Sequence, residues 1–138
     1  MKITQATIYP LSIPLIEPIK MSRELVRDAK TVLLRLTDDE GRQGWGEASV
    51  APLMTGETLD SLLGSVKYLV EHGKSYEWTE PKQFATVFSS ILYGNASAKS
   101  CFEMALLDLF TQRQSLPLWK YLRLANKLSD LADPLPIP

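Results

Sequence analysis

The chain has 138 residues, of which 45% are hydrophobic, and this size suits one globular domain with its own core. Fifteen basic residues against sixteen acidic ones give a formal charge of −1. No run of like charge is long enough to follow a phosphate backbone or an anionic membrane surface. The composition therefore argues against nucleic acid and against a membrane as partners.

The N-terminal residues and the cysteine content exclude further classes. The first residues lack the apolar segment of a signal peptide or a membrane span, so we expect a cytoplasmic protein. The single Cys101 cannot form an intrachain disulfide, and with the single His72 it leaves no zinc-ligand spacing. No metal or other cofactor is expected to bind within this chain. Cys101 is predicted to act as a small buried hydrophobe and His72 to lie on the surface.

The first third of the chain has the period of β-strands. Residues 3–15 are rich in Ile, Thr and Tyr, but Pro10 and Pro14 lack backbone donors, which predicts an irregular or edge strand. Over residues 32–37, Val and Leu alternate with other residues, which predicts a second strand with one face on the core.

Turn-forming residues separate this strand from a third one. Asp38–Gly41 has the composition of a turn, so residues 43–49 are predicted to fold back antiparallel. Asp38 and Asp39 are interpreted as turn residues and not as metal ligands. Gly44-Trp45-Gly46 lacks the further glycine of a dinucleotide fingerprint, and Trp45 is predicted to serve packing.

After Thr58 the apolar spacing becomes helical. One helix is predicted to run from there to Gly73, and a second from near Pro81 to Gly94. Their predicted core-facing residues recur at intervals of three and four: Leu59, Leu62, Leu63, Val66, Leu69 and Val70 in the first helix, and Phe84, Val87, Phe88 and Ile91 in the second.

A third helix is predicted to begin with Asn95 as its cap and to run to about Arg113. Its predicted inner face consists of Ala98, Cys101, Phe102, Ala105, Leu106 and Leu109. A short helix is expected over 117–122. Strands followed by helices indicate an α+β fold, a three-stranded antiparallel meander followed by a bundle of three to four helices.

Four motifs make the prediction more specific. They are Gly44-Trp-Gly-Glu47, Thr55-Gly-Glu-Thr58, the segment 95–109, and Leu116-Pro-Leu-Trp119. In this order and spacing they resemble the mandelate racemase/muconate lactonizing enzyme branch of the enolase superfamily, over about residues 1–122. The resemblance implies an N-terminal capping domain, which lies over the mouth of a (β/α) barrel.

The resemblance also implies a Mg²⁺-dependent isomerase or lyase that abstracts a proton α to a carboxylate, with the Lys or His base and the Mg²⁺ ligands on the barrel. A barrel needs roughly 200 residues or more, so residues 123–138 are predicted to be a truncated linker toward a missing barrel, and no catalytic residue is expected in this chain. The parent enzyme can be a cycloisomerase, a dipeptide epimerase, an acylamino-acid racemase or a dehydratase, with a small-molecule carboxylate as substrate.

The candidate substrate-binding residues lie on two loops, 17–24 and 50–56, which the resemblance implies close over the substrate. By chemistry they are Lys20 and Arg23 for a carboxylate, Met21, Leu53 and Met54 for apolar walls, and Ser22 and Thr55 for hydrogen bonds. The alternative is that both loops are solvated and their Met residues pack locally.

Three hypotheses follow for the function. The first is a capping domain that is not catalytic alone. The second is a docking module that binds a separately encoded barrel. The third is a stand-alone dimerising protein. In the isolated chain, surfaces that a barrel covers are exposed, which predicts a homo-oligomer or a poorly soluble species.

Overall fold

The computed structural model describes residues 1–21 and 25–128. Its elements, in chain order, are β1 (Ile3–Lys20), β2 (Leu25–Asp38), β3 (Gln43–Ser49), α1 (Pro52–Thr55), α2 (Leu59–Gly73), α3 (Lys82–Ile91), α4 (Ala96–Arg113) and α5 (Leu118–Ala125). The predicted α+β class is confirmed, because the strands come first and the helices follow. Helices α2 to α5 form the predicted bundle, and the single turn α1 is additional.

The sheet is an antiparallel meander with the strand order β1-β2-β3. As its prolines predicted, β1 is an edge strand, and its register shifts between Pro14 and Ile19. The last pair between β2 and β3 is Thr31 with Ser49. Residues 12–20 of β1 and 25–30 of β2 therefore continue as two strands alone, here called the ribbon.

The core lies between the sheet and α4. Val32, Leu34 and Leu36 on the inner face of β2 are completely buried, as predicted. All six residues predicted for the inner face of the third helix are also completely buried, and they lie on α4. Each large apolar side chain that is buried here stabilises the folded state by about 1.5–3 kcal/mol, so this is the main stabilising contact of the fold.

Two glycines let β3 lie directly against α4. A Cβ atom on Gly46 would lie 2.9 Å from the carbonyl carbon of Cys101, and one on Gly44 would lie 2.6 Å from Cγ of Leu109. Between them, the backbone N–H of Trp45 donates to Asp108 Oδ2 at 2.9 Å. Close packing, and not a cofactor, therefore accounts for the glycines of this motif.

An aromatic cluster closes the far side of the core. Trp78, in the connection between α2 and α3, is 2% exposed, and its indole N–H donates to the carbonyl of Gly73 at 3.1 Å. Its ring lies within 6.0 Å, between centroids, of the rings of Phe84, Phe88 and Phe102. The sequence pattern did not predict Trp78 as a core residue, because it lies outside the periodic segments.

The N-cap position of Asn95 and the end of α2 are confirmed, whereas the predicted end of α3 at Gly94 is wrong. Asn95 occupies the N-cap position of α4 but makes no side-chain cap hydrogen bond; instead its Oδ1 accepts from Ser65 Oγ on α2 at 2.7 Å. Helix α3 ends at Ile91, before Gly94. Helix α2 does end at Gly73, and Thr58 caps its first turn.

The turn after β2 is tied to the end of α4. Asp38 Oδ1 accepts from the backbone N–H groups of Glu40 and Arg42, as the turn interpretation predicted. Arg113 at the end of α4 places Nη1 3.2 Å from Asp38 Oδ2 and 2.8 Å from Asp39 Oδ1. These ion pairs were not predicted, since their partners are far apart in the sequence.

The last described helix runs further than predicted. The short helix expected over 117–122 is α5, which continues to Ala125. Residues 123–125 therefore belong to this helix. Residues 129–138 lie outside the described part of the chain, so the predicted linker over 123–138 stays a prediction.

Candidate functional site

The two candidate loops differ from their predicted form. The first was predicted over 17–24, but β1 continues to Lys20, so this prediction is wrong for residues 17–20. The second was predicted over 50–56, yet Pro52–Thr55 form the single turn α1, with proline in the first turn where its missing N–H costs nothing. Ser22 and Arg23 lie outside the described residues.

These two segments enclose one groove of about 740 Å³. The end of the ribbon forms one side and the stretch from Val50 to Leu59, including α1, forms the other. A groove of this volume can hold a small organic molecule. The two loops that the sequence singled out therefore border a common space.

The structure brings three of the candidate substrate-binding residues together. Met21 from the ribbon side and Leu53 and Met54 from α1 all line the groove. Their exposed fractions are 45%, 64% and 77%, which is high for such apolar side chains. The side chains thus form an open apolar wall that a ligand or a covering domain can bury.

The remaining two described candidates are placed differently. Lys20 is exposed at the last position of β1, paired with Leu25, and does not line the groove. The hydroxyl of Thr55 donates to the carbonyl of Ala51 at 3.2 Å and accepts from the N–H of Glu57 at 3.2 Å. Its hydrogen bonds thus stay within the loop.

Charged residues on β2 also border the groove, and the sequence reasoning did not select them. Arg27, Asp28 and Lys30 all line it and are exposed. They provide two positive charges and one negative charge beside the apolar wall. The available signal was their position directly after the first candidate loop, in a stretch too polar for a buried strand.

The described residues contain no group of three or more His, Cys, Asp or Glu side chains that could hold a metal ion. The Cys101 thiol is completely buried, and burial, with a further contribution from the charge of Glu47, raises its pKa from 9.0 to about 12. His72 is exposed, as predicted, and its ring stacks on Tyr68. In the described part of the chain, no helix is long and apolar enough to span a membrane.

These observations define a class of protein: a small α+β domain that offers an open groove between two chain segments and whose described residues contain no cluster of potential metal ligands. The sequence model of one protein family, the mandelate racemase/muconate lactonizing enzyme N-terminal domain, matches residues 3–122 of this chain. The chain belongs to this family, as the N-terminal capping domain of the enolase superfamily that the motifs indicated.

Similar proteins include two curated epimerases. The chain is 34% identical over 125 residues to the L-Ala-D/L-Glu epimerase of Bacillus subtilis and 32% identical over 122 residues to the D-Ala-D/L-Ala epimerase of Cytophaga hutchinsonii. Each match covers 88% of this chain but only 34% and 33% of the relative. The chain thus spans about a third of the length of the relatives that it matches.

Solved structures of relatives have the same fold. A dipeptide epimerase from Cytophaga hutchinsonii, in complex with Mg and D-Ala-L-Val, superposes with a TM-score of 0.79 at 32% identity. That match covers 88% of this chain and 33% of the other. A substrate-liganded complex of the L-Ala-D/L-Glu epimerase from Bacillus subtilis superposes with a TM-score of 0.76 at 31% identity, with coverages of 88% and 34%.

Proposed function

We propose that this chain caps the active site of a Mg²⁺-dependent isomerase or lyase that abstracts a proton α to a carboxylate, and that it is not catalytic alone. The groove between the ribbon and α1 carries the proposal, because it joins both loops that the family uses to enclose a substrate. The chain corresponds to about a third of its relatives. We infer that the base and the Mg²⁺ ligands belong to a barrel outside this chain.

Among the parent reactions that the sequence left open, we propose dipeptide epimerisation. The two relatives above 30% identity described in the previous section are both epimerases of alanine-containing dipeptides by name. The o-succinylbenzoate synthase of Bacillus subtilis is less similar, with 28% identity. Identity over a capping domain is relevant here, since this domain carries the loops that border the substrate.

The chemistry of the groove fits a zwitterionic dipeptide. Such a substrate carries a carboxylate, an ammonium group and two side chains. Arg27 and Lys30 can attract the carboxylate and Asp28 the ammonium group, while the wall of Met21, Leu53 and Met54 can cover an apolar side chain. We also retain Lys20 and Arg23 as carboxylate partners and Ser22 and Thr55 as hydrogen-bonding groups, on the basis of the resemblance.

The described residues do not fit the metal that the family uses. No cluster of three or more potential ligands occurs among them, so no metal-dependent step is assigned to this chain. Mg²⁺ is named in the structure of the Cytophaga hutchinsonii dipeptide epimerase. The location that we propose for the complete enzyme is the cytoplasm.

A chimeric enzyme tests this function. Residues 1–122 replace the matching segment of the Cytophaga hutchinsonii D-Ala-D/L-Ala epimerase, and α-hydrogen exchange of D-Ala-L-Ala in D₂O is followed by NMR. We expect no exchange with this chain alone and exchange by the chimera within about a hundredfold of the parent rate, since small misplacements cost about that factor. The relative without any capping segment is the reference for background exchange.

Two substitutions make the test specific. Met54→Asp places a charge in the apolar wall and should lower kcat/KM of the chimera by more than tenfold, whereas the matched control Tyr93→Asp, at a position 96% exposed and outside the groove, should not. A folded chimera that is no better than the uncapped barrel, or exchange by this chain alone, would contradict the proposal. Activity regained by mixing separate chain and barrel would favour the docking module.

A further inference from the structure

The turn α1 presents Leu53 and Met54 to the groove, yet none of its own residues is buried. Hydrophobic packing, which fixes most elements of a fold, therefore does not fix this turn. A one-turn helix is also too short to be stable by itself. Some other contact must hold it in the position that shapes the groove.

Glu57, the residue two positions after α1, provides that contact. Glu57 is only 9% exposed, and its Oε2 atom accepts a hydrogen bond from the hydroxyl of Ser97. Ser97 is the second residue of α4, whose N-cap residue Asn95 makes no cap hydrogen bond. A carboxylate at the start of a helix is favoured by the helix dipole. The Glu57 carboxylate thus contacts a side chain in the first turn of α4, a helix whose own N-cap side chain makes no cap bond.

Hydrogen bonds connect Glu57 to both ends of α1. The N–H of Glu57 donates to the Thr55 hydroxyl at 3.2 Å, and that hydroxyl donates to the carbonyl of Ala51, which precedes α1, at 3.2 Å. The next residue, Thr58, forms a capping box with Ser61 at the start of α2. The segment after α1 is therefore attached to two helices of the core. The hydrogen bond between Glu57 and Ser97 attaches it to α4, and the capping box of Thr58 attaches it to α2.

Stability alone does not explain a glutamate at this position. In the described part of the chain, Glu57 Oε1 is buried and has no hydrogen-bond partner. A buried carboxylate that is only half satisfied costs free energy that an apolar side chain would not. The carboxylate does form a directional, charge-assisted hydrogen bond with Ser97, and such a bond is stronger than one between neutral groups. This favours a role in fixing geometry.

We propose that Glu57 is a positioning residue, which acts through Ser97 to hold α1 and thereby sets the apolar wall of the groove. This inference rests on the proposed function for the meaning of the wall, but not for the contact itself. Glu57→Ala and Ser97→Ala should release α1 while the sheet and α4 keep their structure. Glu57→Gln keeps an acceptor for Ser97 and should give an intermediate effect.

Amide hydrogen exchange, measured by NMR on the 138-residue chain, tests the contact. The N–H groups of Met54, Thr55 and Gly56 bond to the carbonyls of Ala51 and Pro52 within the turn. In Glu57→Ala and Ser97→Ala we expect these three to exchange about tenfold faster, the effect of losing a bond to a charged group. Amides in the β2–β3 ladder should not change. Asp60→Ala, which removes an exposed acid three residues away, is the matched control.

The outcomes separate this inference from the proposed function. Unchanged exchange at the turn in Ser97→Ala, or acceleration everywhere in both variants, would overturn it, even if the chimera is active. If Glu57→Ala does not fold, Ser97→Ala and Glu57→Gln decide in the same way. In an active chimera, Glu57→Gln should raise KM severalfold and change kcat less. An inactive chimera would contradict the proposed function, but the exchange result would remain valid.

Discussion

At the scale of single residues, Cys101 illustrates how burial determines reactivity. Its side chain is completely buried on α4, and its Sγ atom lies 3.8 Å from the carbonyl oxygen of Val32. Burial, reinforced by the charge of Glu47 and partly offset by a backbone hydrogen bond, raises the pKa of the thiol to about 12. At neutral pH the thiol is therefore protonated and shielded, which is the opposite of a catalytic cysteine.

This pKa predicts a pH dependence of stability. Below the usual thiol pKa of 9.0 the side chain is protonated in both states; between pH 9.0 and about 12 the unfolded chain releases the proton and the folded chain keeps it. The contribution of Cys101 to the free energy of unfolding should therefore fall as pH rises through this window, by about 1 kcal/mol near pH 10. Urea unfolding of the wild-type chain and of Cys101→Ala, from pH 8 to 10, measures it. Equal slopes in the two proteins would contradict the prediction.

At the scale of elements, the contact between β3 and α4 determines how the sheet lies on the helices. The glycines on the inner face of β3 allow a backbone-to-backbone approach that no other residue permits, as the contacts of Gly46 with Cys101 and Ala105 show. This approach aligns the sheet on α4, and the sheet in turn carries the ribbon that borders the groove. The position of the groove thus depends on two residues without side chains.

A pair of matched glycine substitutions tests this contact. Gly46→Ala places a methyl group against the backbone of α4 and should destabilise the chain by roughly 3 kcal/mol, as an overpacked core does. Gly64→Ala, on the exposed side of α2 with nothing within 4 Å of the new Cβ, should instead stabilise it by about 0.5–1 kcal/mol. Denaturant unfolding measures both. A Gly46→Ala variant as stable as Gly64→Ala would show that β3 and α4 are further apart.

The strands and helices were predictable because their signals are local. Alternation over 32–37 and helical spacing after Thr58 depend on near neighbours, and the observed elements follow both. The contacts that join elements were not predictable. Trp78 and the Ser97–Glu57 bond combine residues from separate segments, and neither residue type nor spacing indicates such a partner. Asn95 was assigned to a cap by its type, but Ser65 provides a competing partner on α2.

The candidate site was predictable only in part, because it too combines residues from separate segments of the chain. The resemblance placed both loops, and the described residues Met21, Leu53 and Met54 do meet at one groove. The β1 strand was expected to stop before the first loop, because its prolines and exposed residues lack the pattern of a buried strand. Pairing with β2 alone extends it, since two strands of a ribbon satisfy each other's backbone groups without a core. Arg27, Asp28 and Lys30 consequently reach the groove unpredicted.

At the scale of the whole molecule, the ribbon leaves unusual apolar surface in water. Three isoleucines of β1 are exposed there, Ile13 by 52%, Ile19 by 56%, and Ile16 completely. In the described residues, β1 pairs with β2 only, so its outer edge also carries backbone groups without a strand partner. Surface of this kind is typical of a contact with another chain or domain. It is therefore the part of the described molecule best suited to association.

We expect the isolated chain to self-associate with rising concentration, through this part of β1. The triple substitution Ile13→Thr, Ile16→Thr and Ile19→Thr keeps β-branched side chains, and hence strand propensity, while it removes apolar surface. Sedimentation velocity over a hundredfold concentration range should show oligomers for the wild-type chain and a shift toward monomer for the triple variant. Tyr93→Thr removes a ring elsewhere that is 96% exposed and should leave the distribution unchanged. A wild-type chain that is monomeric throughout, or a triple variant that associates as strongly, would show that the ribbon does not drive association.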